Sequence, residues 1–139
     1  MSSISGRGTK PEVLIAKALF SKGFRYRKHY KALPGKPDLV FPRYRAIISV
    51  NGCFWHRHHC HLFKWPATRR EFWENKINGT VQRDERNSAF YRAEGWRELV
   101  IWECSIKGKY RRDIGEVVNS AAIWLKGEAL AMSIAGKDS

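Results

Sequence analysis

The sequence is poor in acidic side chains and contains no long apolar run, and each shortage excludes a class of protein. Aspartate and glutamate total 13 against 26 lysine and arginine residues, so the 139-residue chain carries a formal net charge of +13. No apolar run approaches the roughly 18 residues that a membrane span needs. The opening stretch MSSISGRGTKPE lacks the apolar core of a secretory signal. We therefore expect an intracellular, cytoplasmic protein.

Cysteine is scarce as well, with Cys53, Cys60 and Cys104 as the whole supply. Three thiols cannot all pair, and disulfides are rare in a reducing compartment. Free thiols or metal ligands are therefore favoured over a disulfide framework.

What the chain does have is basic charge and enough apolar residues, 43%, for a core. A domain this basic usually binds a polyanion, and nucleic acid is the first candidate. An anionic membrane surface is the second, but we find no strongly amphipathic basic helix or lipidation signal. A basic surface that serves only solubility is the plain alternative.

Residue patterns predict a single mixed α/β sandwich with helices, strands and a helical stretch in alternation. Predicted helices cover residues 10–22 with Thr9 as N-cap and Gly23 as C-cap, 68–92 with a break near Asn78-Gly79, and 113–126 with Ile114, Val117, Val118, Ala121, Ile123, Trp124 and Leu125 on or near the buried face. Predicted strands cover 38–41, 46–50 and 98–102, and 24–30 is a strand or an edge. A short arm (1–9) precedes this domain and a weakly specified tail (127–139) follows it.

The densest chemistry lies in NGCFWHRHHCH, residues 51–61. Cys53, His58 and Cys60 form the pattern C-x4-H-x-C, and Cys104 follows the third predicted strand. Zinc takes four nitrogen or sulfur ligands in a closed structural site, so this set would staple the loop to the sheet. Spacing leaves the histidine open among His58 and its neighbours His56, His59 and His61. The alternative is three buried thiols beside a surface histidine cluster.

A second set of residues suits phosphodiester hydrolysis, which needs a carboxylate for magnesium and a base for water. Pro37-Asp38 opens one strand and a second follows about ten residues later, the layout of the PD-(D/E)xK nuclease fold. That second strand has no acid-x-Lys, so His56 is the natural candidate for the base. Glu12 is either an outer acid or a helix-end charge, and Asp84 either orients a histidine or lies on a solvated helix face.

These stretches together resemble the very short patch repair endonucleases, the Vsr family of bacterial mismatch-nicking enzymes. The matching segments are TKPE (9–12), GFRYR (23–27), LPGKPDLVF (33–41), NGCFWHRHHC (51–60), PATRREFW (66–73), RDER (83–86) and GWRELVIWEC (95–104). The resemblance implies a restriction-endonuclease-like mixed sheet flanked by helices. It implies magnesium-dependent nicking on the 5′ side of the T in a T:G mismatch. It also implies a bacterial, nucleoid-associated monomer that works beside a cytosine-5 DNA methyltransferase.

The resemblance also implies roles for single residues. Carried over by position, Asp38 and the backbone carbonyl of Val50 bind magnesium, His56 is the catalytic base, and Asp84 and Glu12 are supporting acids. Cys53, His58, Cys60 and Cys104 are the ligands of a structural zinc. Phe54, Trp55 and Trp73 wedge into the DNA stack beside the mismatch, whose weak stacking makes insertion cheap. For the two tryptophans, core packing is the alternative.

Two departures from the family pattern qualify these expectations. Asn51 stands where some members have a histidine near the leaving group, and an asparagine can hydrogen-bond there but cannot carry a proton at neutral pH. The segment before Thr9 is short where members often have a basic arm that contacts the minor groove. We expect Arg7 and Lys10 to supply part of that contact.

Three other functions remain open at this stage. A related restriction or homing-type nuclease would share the centre and differ in its DNA target. A non-catalytic zinc-containing DNA-binding module would use the charge and the metal site alone. A basic structural protein would explain the charge but not the GCFWH block.

Overall fold

The computed structural model describes residues 10–28 and 30–137. In chain order the elements are α1 (Pro11–Ser21), β1 (Leu39–Phe41), β2 (Ala46–Asn51), α2 (Arg70–Ala93), β3 (Arg97–Trp102), α3 (Ile114–Lys126) and β4 (Ala131–Ile134), with short 3-10 turns at Pro42–Tyr44 and Glu103–Ser105. Among the helices of these two ranges, none combines the length and apolar character that crossing a bilayer requires.

The four strands form one mixed sheet in the order β1-β2-β3-β4. Strand β1 is antiparallel to β2, whereas β2, β3 and β4 run parallel to one another. Parallel neighbours need a crossover connection, and α2 supplies it between β2 and β3. Because β2 and β3 point the same way, the segments that follow Asn51 and Trp102 leave the sheet at the same edge.

Helices α1 and α3 pack on one face of this sheet over the main core. That core joins Ile15, Ala16, Leu19, Val117, Val118, Ala121 and Leu125 of the helices to Leu39, Phe41, Ala46, Ile48, Leu99 and Ile101 of the strands. Alternate strand residues point to opposite faces, so Val40 and Ile47 lie on the other side. There they pack with Leu33, Tyr91 and Trp96 in a second cluster under α2.

The start of α1 differs slightly from the predicted one. Lys10 occupies the N-cap position with extended backbone and the helix begins at Pro11. Thr9, the predicted cap, lies outside the described residues together with the arm 1–9 and Arg7. Gly23 has φ of +98°, the left-handed conformation in which glycine ends a helix.

The predicted break at Asn78-Gly79 is wrong, because α2 is a single helix of 24 residues. A glycine inside a helix costs only about 1 kcal/mol relative to alanine. Burial of the preceding Ile77, which is 0% exposed, favours the continuous helix. The helix also begins at Arg70 rather than near Thr68.

The chain after Gly127 contains a strand that the sequence pattern did not indicate. β4 pairs with β3, and only Ile134 of its four residues is buried. Residues 24–30 were expected to form a strand or an edge, and the described ones, 24–28 and 30, contribute one isolated bridge between Arg27 and Val40. On α3, Ile123 is 66% exposed and Ile114 is 38% exposed, so both were wrongly assigned to the buried face.

Candidate active site and metal centre

A cavity of about 690 Å³ lies between α2 and the sheet, where β2 ends. Its lining includes Asp38, Val50, Asn51, His56 and Asp84. These residues are far apart in sequence, from position 38 to position 84. The fold therefore brings together five of the residues that the sequence analysis singled out.

Asp38 precedes β1 and points its carboxylate at the backbone of β2. The N–H of Val50 donates to Oδ2 of Asp38 at 2.7 Å. Burial raises the pKa of the Asp38 carboxyl, and the negative charge of Glu12 raises it further. The Val50 hydrogen bond and the nearby His56 act on the pKa in the opposite direction. A bound cation would favour the ionised form that burial disfavours.

His56 and Asp84 form a close pair across the cavity. Nδ1 of His56 lies 2.5 Å from Oδ2 of Asp84. An ionised carboxylate can only accept, so this contact assigns the hydrogen to Nδ1 and leaves Nε2 of a neutral ring with a free lone pair. His56 is carried by the loop after β2, whose turn is closed by the His56 N–H donating to the Gly52 carbonyl at 3.2 Å.

The other predicted residues differ in how close they lie to the cavity. Asn51 is the last residue of β2 and lines the cavity. Glu12 is half-buried in the first turn of α1, outside the cavity lining, and acts on Asp38 through its charge. Lys10 is exposed just before that helix. Arg7 is outside the described residues.

Cys53, His58, Cys60 and Cys104 form a compact cluster whose ligand atoms all lie within 4.8 Å of one another. Nδ1 of His58 is 3.5 Å from Sγ of Cys53 and 3.6 Å from Sγ of Cys104. Tetrahedral zinc with Zn–S of about 2.3 Å and Zn–N of about 2.05 Å requires S···N separations of roughly 3.6 Å. The donor set and its spacing therefore fit a four-coordinate metal ion.

Hydrogen bonds to sulfur complete this cluster. The Cys104 N–H donates to Sγ of Cys53 at 3.3 Å, and the Gly136 N–H donates to Sγ of Cys104 at 3.2 Å. Burial is the main cause that raises the pKa of the Cys53 thiol. Burial also lowers the pKa of His58, which favours the neutral ring that binds metal.

Geometry selects His58 from the competing histidines. The ring of Trp102 stacks on the His58 ring with centroids 4.1 Å apart and planes 10° apart. His56 pairs with Asp84, and His61 packs edge-on against Tyr110. Spacing within the motif could not make this choice, because it depends on the distances from Nδ1 of His58 to the cysteine sulfur atoms.

Phe54, Trp55 and Trp73 form an aromatic cluster beside the cysteine–histidine cluster. The ring centroids of Phe54 and Trp55 are 5.3 Å apart, those of Phe54 and Trp73 5.5 Å, and those of Trp55 and Trp73 5.7 Å. Trp55 is 46% exposed, so the cluster presents a large ring to solvent. Core packing alone does not explain a tryptophan with that exposure.

Sequence reasoning missed further aromatic members of this region. Phe63 packs on Phe54, Trp65 packs on Phe63, and Phe72 packs on Trp73. The guanidinium groups of Arg69 and Arg70 lie over Phe72 and Trp65. The stretch HLFKWPATRREFW is rich in aromatic residues, but its sequence does not indicate which rings contact each other.

Polar residues were missed as well. Glu103 accepts a hydrogen bond from the Cys53 N–H at 3.1 Å and so connects the loop after β2 to the end of β3. Glu98 lines the cavity and accepts from the Ser88 hydroxyl at 2.7 Å. Burial raises the pKa of Glu98 and the Ser88 bond opposes that change.

Comparison with known proteins gives consistent matches. Residues 1–62 match the family model described as DNA mismatch endonuclease Vsr. The chain is 40% identical over 134 residues to DNA mismatch endonuclease Vsr of Escherichia coli, which covers 96% of this chain and 86% of that protein. It is 42% identical over 106 residues to Type II nicking enzyme V.XorIIP of Xanthomonas oryzae pv. oryzae, covering 76% of this chain and 78% of that protein. It is 41% identical over 109 residues to Type II nicking enzyme V.NmeAIP of Neisseria meningitidis, covering 78% of each.

Proposed function

The chain belongs to the Vsr family of DNA mismatch endonucleases, and on that premise we propose that it nicks duplex DNA by magnesium-dependent hydrolysis on the 5′ side of the T in a T:G mismatch. Identity over nearly the whole chain confirms the family resemblance and the endonuclease activity. The metal, the exact mismatch and the residue roles are the proposal. The observation that supports this proposal is that Asp38 and the His56–Asp84 pair line the same cavity.

Asp38 and Val50 are the proposed magnesium ligands. Carboxylate and carbonyl oxygens are the hard donors that magnesium prefers. The hydrogen bond from Val50 N–H holds the Asp38 carboxylate against the backbone of β2 at the mouth of the cavity. When bound there, magnesium would neutralise charge on the phosphate and polarise the scissile bond. Asp38 contributes a carboxylate that favours a cation at this position in a chain of net charge +13.

His56 is the proposed general base. With its Nδ1 hydrogen donated to Asp84, a neutral ring keeps its Nε2 lone pair for a proton, and His56 lines the cavity. It can take the proton from an attacking water, and the Asp84 charge 2.5 Å away stabilises the imidazolium that results. Glu12 supports the site only through its field on Asp38. Asn51 can orient a water or the leaving oxygen by hydrogen bonding, without supplying a proton.

Zinc is the proposed occupant of the Cys53, His58, Cys60 and Cys104 cluster. Three thiols and one imidazole form a typical closed structural zinc set. The site binds the loop after β2 to the end of β3, and that loop carries both His56 and the Phe54–Trp55 pair. The proposed zinc therefore fixes the base and the aromatic cluster in one piece.

The aromatic cluster is the proposed mismatch reader. Phe54, Trp55 and Trp73 would insert beside the mismatch, where unstacking costs less than in a matched duplex. Phosphate contacts from basic side chains, with Lys10 and Arg7 among them, would hold the DNA without reading its sequence. Selectivity for the mismatch then comes from the lower cost of unstacking the duplex there rather than from hydrogen bonds to base edges.

The finer fold assignment is also part of the proposal. A mixed sheet with helices on both faces and an aspartate that opens a strand supports a restriction-endonuclease-like, PD-(D/E)xK-type arrangement. The departure is on β2, where Ile48, Ser49 and Val50 offer no acid-x-Lys pattern. His56 in the following loop takes over the part of the lysine. We further propose a bacterial cytoplasmic monomer that acts beside a cytosine-5 methyltransferase, whose deaminated product it would repair.

A second candidate is a nicking enzyme of the same family with another DNA target. Several relatives are named Type II nicking enzymes rather than mismatch endonucleases, and this observation favours it. The two candidates share the cavity and differ only in the duplex that they cut.

The test of the proposed chemistry separates binding from cleavage. An Asp38→Ala protein should lose nicking of a T:G duplex while retaining its affinity in a salt-matched binding assay, because phosphate neutralisation supplies most of the affinity. Lys22→Ala changes an exposed residue just after α1, outside the cavity. It is the control for a substitution that should leave both binding and nicking near wild-type levels. Equal loss of binding and nicking in Asp38→Ala would refute the metal role.

A further inference from the structure

The loop before Asp38, residues 33–37, is anchored to α2 by contacts that the proposed chemistry does not use. We call it the Asp38 loop. Leu33 is 6% exposed and packs in the cluster that contains Tyr91. The hydroxyl of Tyr91 donates to the carbonyl of Pro34. Tyr91 itself is 4% exposed, and burial raises its pKa to about 12, so this hydroxyl keeps its proton.

Gly35 makes the contact between loop and helix close. A Cβ at this position would lie 2.5 Å from Nδ2 of Asn87 and 2.7 Å from the hydroxyl oxygen of Tyr91. Its φ of +81° is in the left-handed region, and Lys36 follows with φ of +46°. The backbone therefore turns tightly against α2 and then brings Asp38 to the cavity.

The anchoring residues lie on the same face of α2 as Asp84. Positions 84, 87 and 91 are separated by three and four residues, so they stack along one side of a helix. Asp84 contacts His56, while Asn87 and Tyr91 contact the Asp38 loop. One helix face thus touches the segments that carry both the proposed base and the proposed metal ligand.

From this geometry we propose that Tyr91 is a positioning residue for Asp38. By fixing the Asp38 loop on α2, Tyr91 sets the affinity of the site for its divalent cation. The inference rests on the proposed function of Asp38. It adds that the distance between metal ligand and base is set by a rigid helix. A loop freed from Tyr91 would let the carboxylate move away from Val50 N–H, and the cation would bind more weakly.

The test compares Tyr91→Phe with the wild-type protein. Phenylalanine keeps the buried ring and removes only the hydroxyl. We measure single-turnover nicking of a T:G duplex as a function of Mg²⁺ concentration. The half-saturating Mg²⁺ concentration should rise by about 10-fold or more, and the rate at saturating Mg²⁺ should largely recover. A loss of rate equal at every Mg²⁺ concentration would overturn the proposal.

Tyr30→Phe is the matched control. Tyr30 packs against the same core cluster, and within residues 10–28 and 30–137 its hydroxyl makes no hydrogen bond. Tyr30→Phe should therefore keep the wild-type Mg²⁺ dependence. Gly35→Ala is a second variant, whose Cβ would push the Asp38 loop off Asn87 and Tyr91. It should raise the half-saturating Mg²⁺ concentration at least as much as Tyr91→Phe, and a wild-type value for both variants would overturn the proposal.

A readout without catalysis separates this inference from the proposed function. Mn²⁺ binding to the zinc-loaded protein on T:G duplex can be followed by electron paramagnetic resonance. Weaker Mn²⁺ binding in Tyr91→Phe than in wild type supports the positioning role even if the wild-type protein fails to nick that duplex. Equal Mn²⁺ binding in the two proteins, or none in either, overturns it.

Discussion

Replacing Cys104 tests whether the cysteine–histidine cluster is a structural metal site. Cys104 is 0% exposed at the end of β3 and lies 51 residues after Cys53 in the sequence. A bound ion would crosslink these positions, and the chain-entropy expression for a crosslink of that span gives about 4 kcal/mol. For a domain of this size that corresponds to a fall in melting temperature of roughly 10–20 °C.

The assay is calorimetric melting combined with metal analysis of the same sample. Cys104→Ala should lose bound zinc and melting temperature together. A chelator should lower the melting temperature of the wild-type protein and leave Cys104→Ala nearly unchanged, because that variant has no site left to strip. Nicking should fall as well, since the stapled loop carries His56.

Val118→Ala is the control for simple core damage. Val118 is 3% exposed in the main core on α3. Its truncation should cost about 1–3 kcal/mol through the cavity it leaves, while the zinc content and the chelator response stay at wild-type levels. Full zinc and unchanged melting in Cys104→Ala would refute the crosslink argument.

Three further predictions follow from the site. Asp84→Asn should reduce nicking by roughly 100-fold or more, since the amide can turn its NH2 to His56 Nδ1 and favour the wrong tautomer; a rate within twofold of wild type in a single-turnover assay would remove Asp84 from the mechanism. Trp55→Ala should change stability by about 1 kcal/mol or less, because the ring is 46% exposed, yet lower the ratio of T:G to T:A cleavage; an unchanged ratio would contradict the wedge. Glu98→Gln should have a higher melting temperature than wild type near neutral pH. Burial, opposed by the Ser88 hydrogen bond, raises the pKa of Glu98 in the folded state. The native protein therefore binds this proton more tightly than the unfolded chain does, and it loses stability as pH rises through that pKa. Melting curves over pH should converge for the two proteins in acid, and parallel curves at all pH values would disprove this account.

The predictable part of the fold was the part with a strong local pattern. The apolar runs at β2 and β3 and the amphipathic α3 were found within one or two residues of their observed bounds. Strand β4 was missed because its four residues are stabilised by pairing with β3, and three of them are exposed. The continuity of α2 was missed because burial of Ile77 outweighs a local propensity for a break at Gly79.

The site shows the same limit at the level of single contacts. The motifs predicted which residues carry chemistry, and the structure brings three of these, Asp38, His56 and Asp84, to one cavity. The choice of His58 depends on how close its Nδ1 lies to the cysteine sulfur atoms, which no spacing rule contains. The Tyr91 bond to Pro34 joins residues 57 positions apart and has no sequence motif. Contacts of this kind arise from packing between distant segments, so they become visible only in three dimensions.

The most direct test of the central proposal is the nicking of an end-labelled T:G duplex and its matched T:A twin, each with Mg²⁺ and with EDTA. The account predicts one nick, on the 5′ side of the mismatched T, in the Mg²⁺ sample of the T:G duplex alone. Cutting of both duplexes would contradict mismatch recognition and favour a nicking enzyme with another target. Cutting in EDTA would contradict the metal role of Asp38.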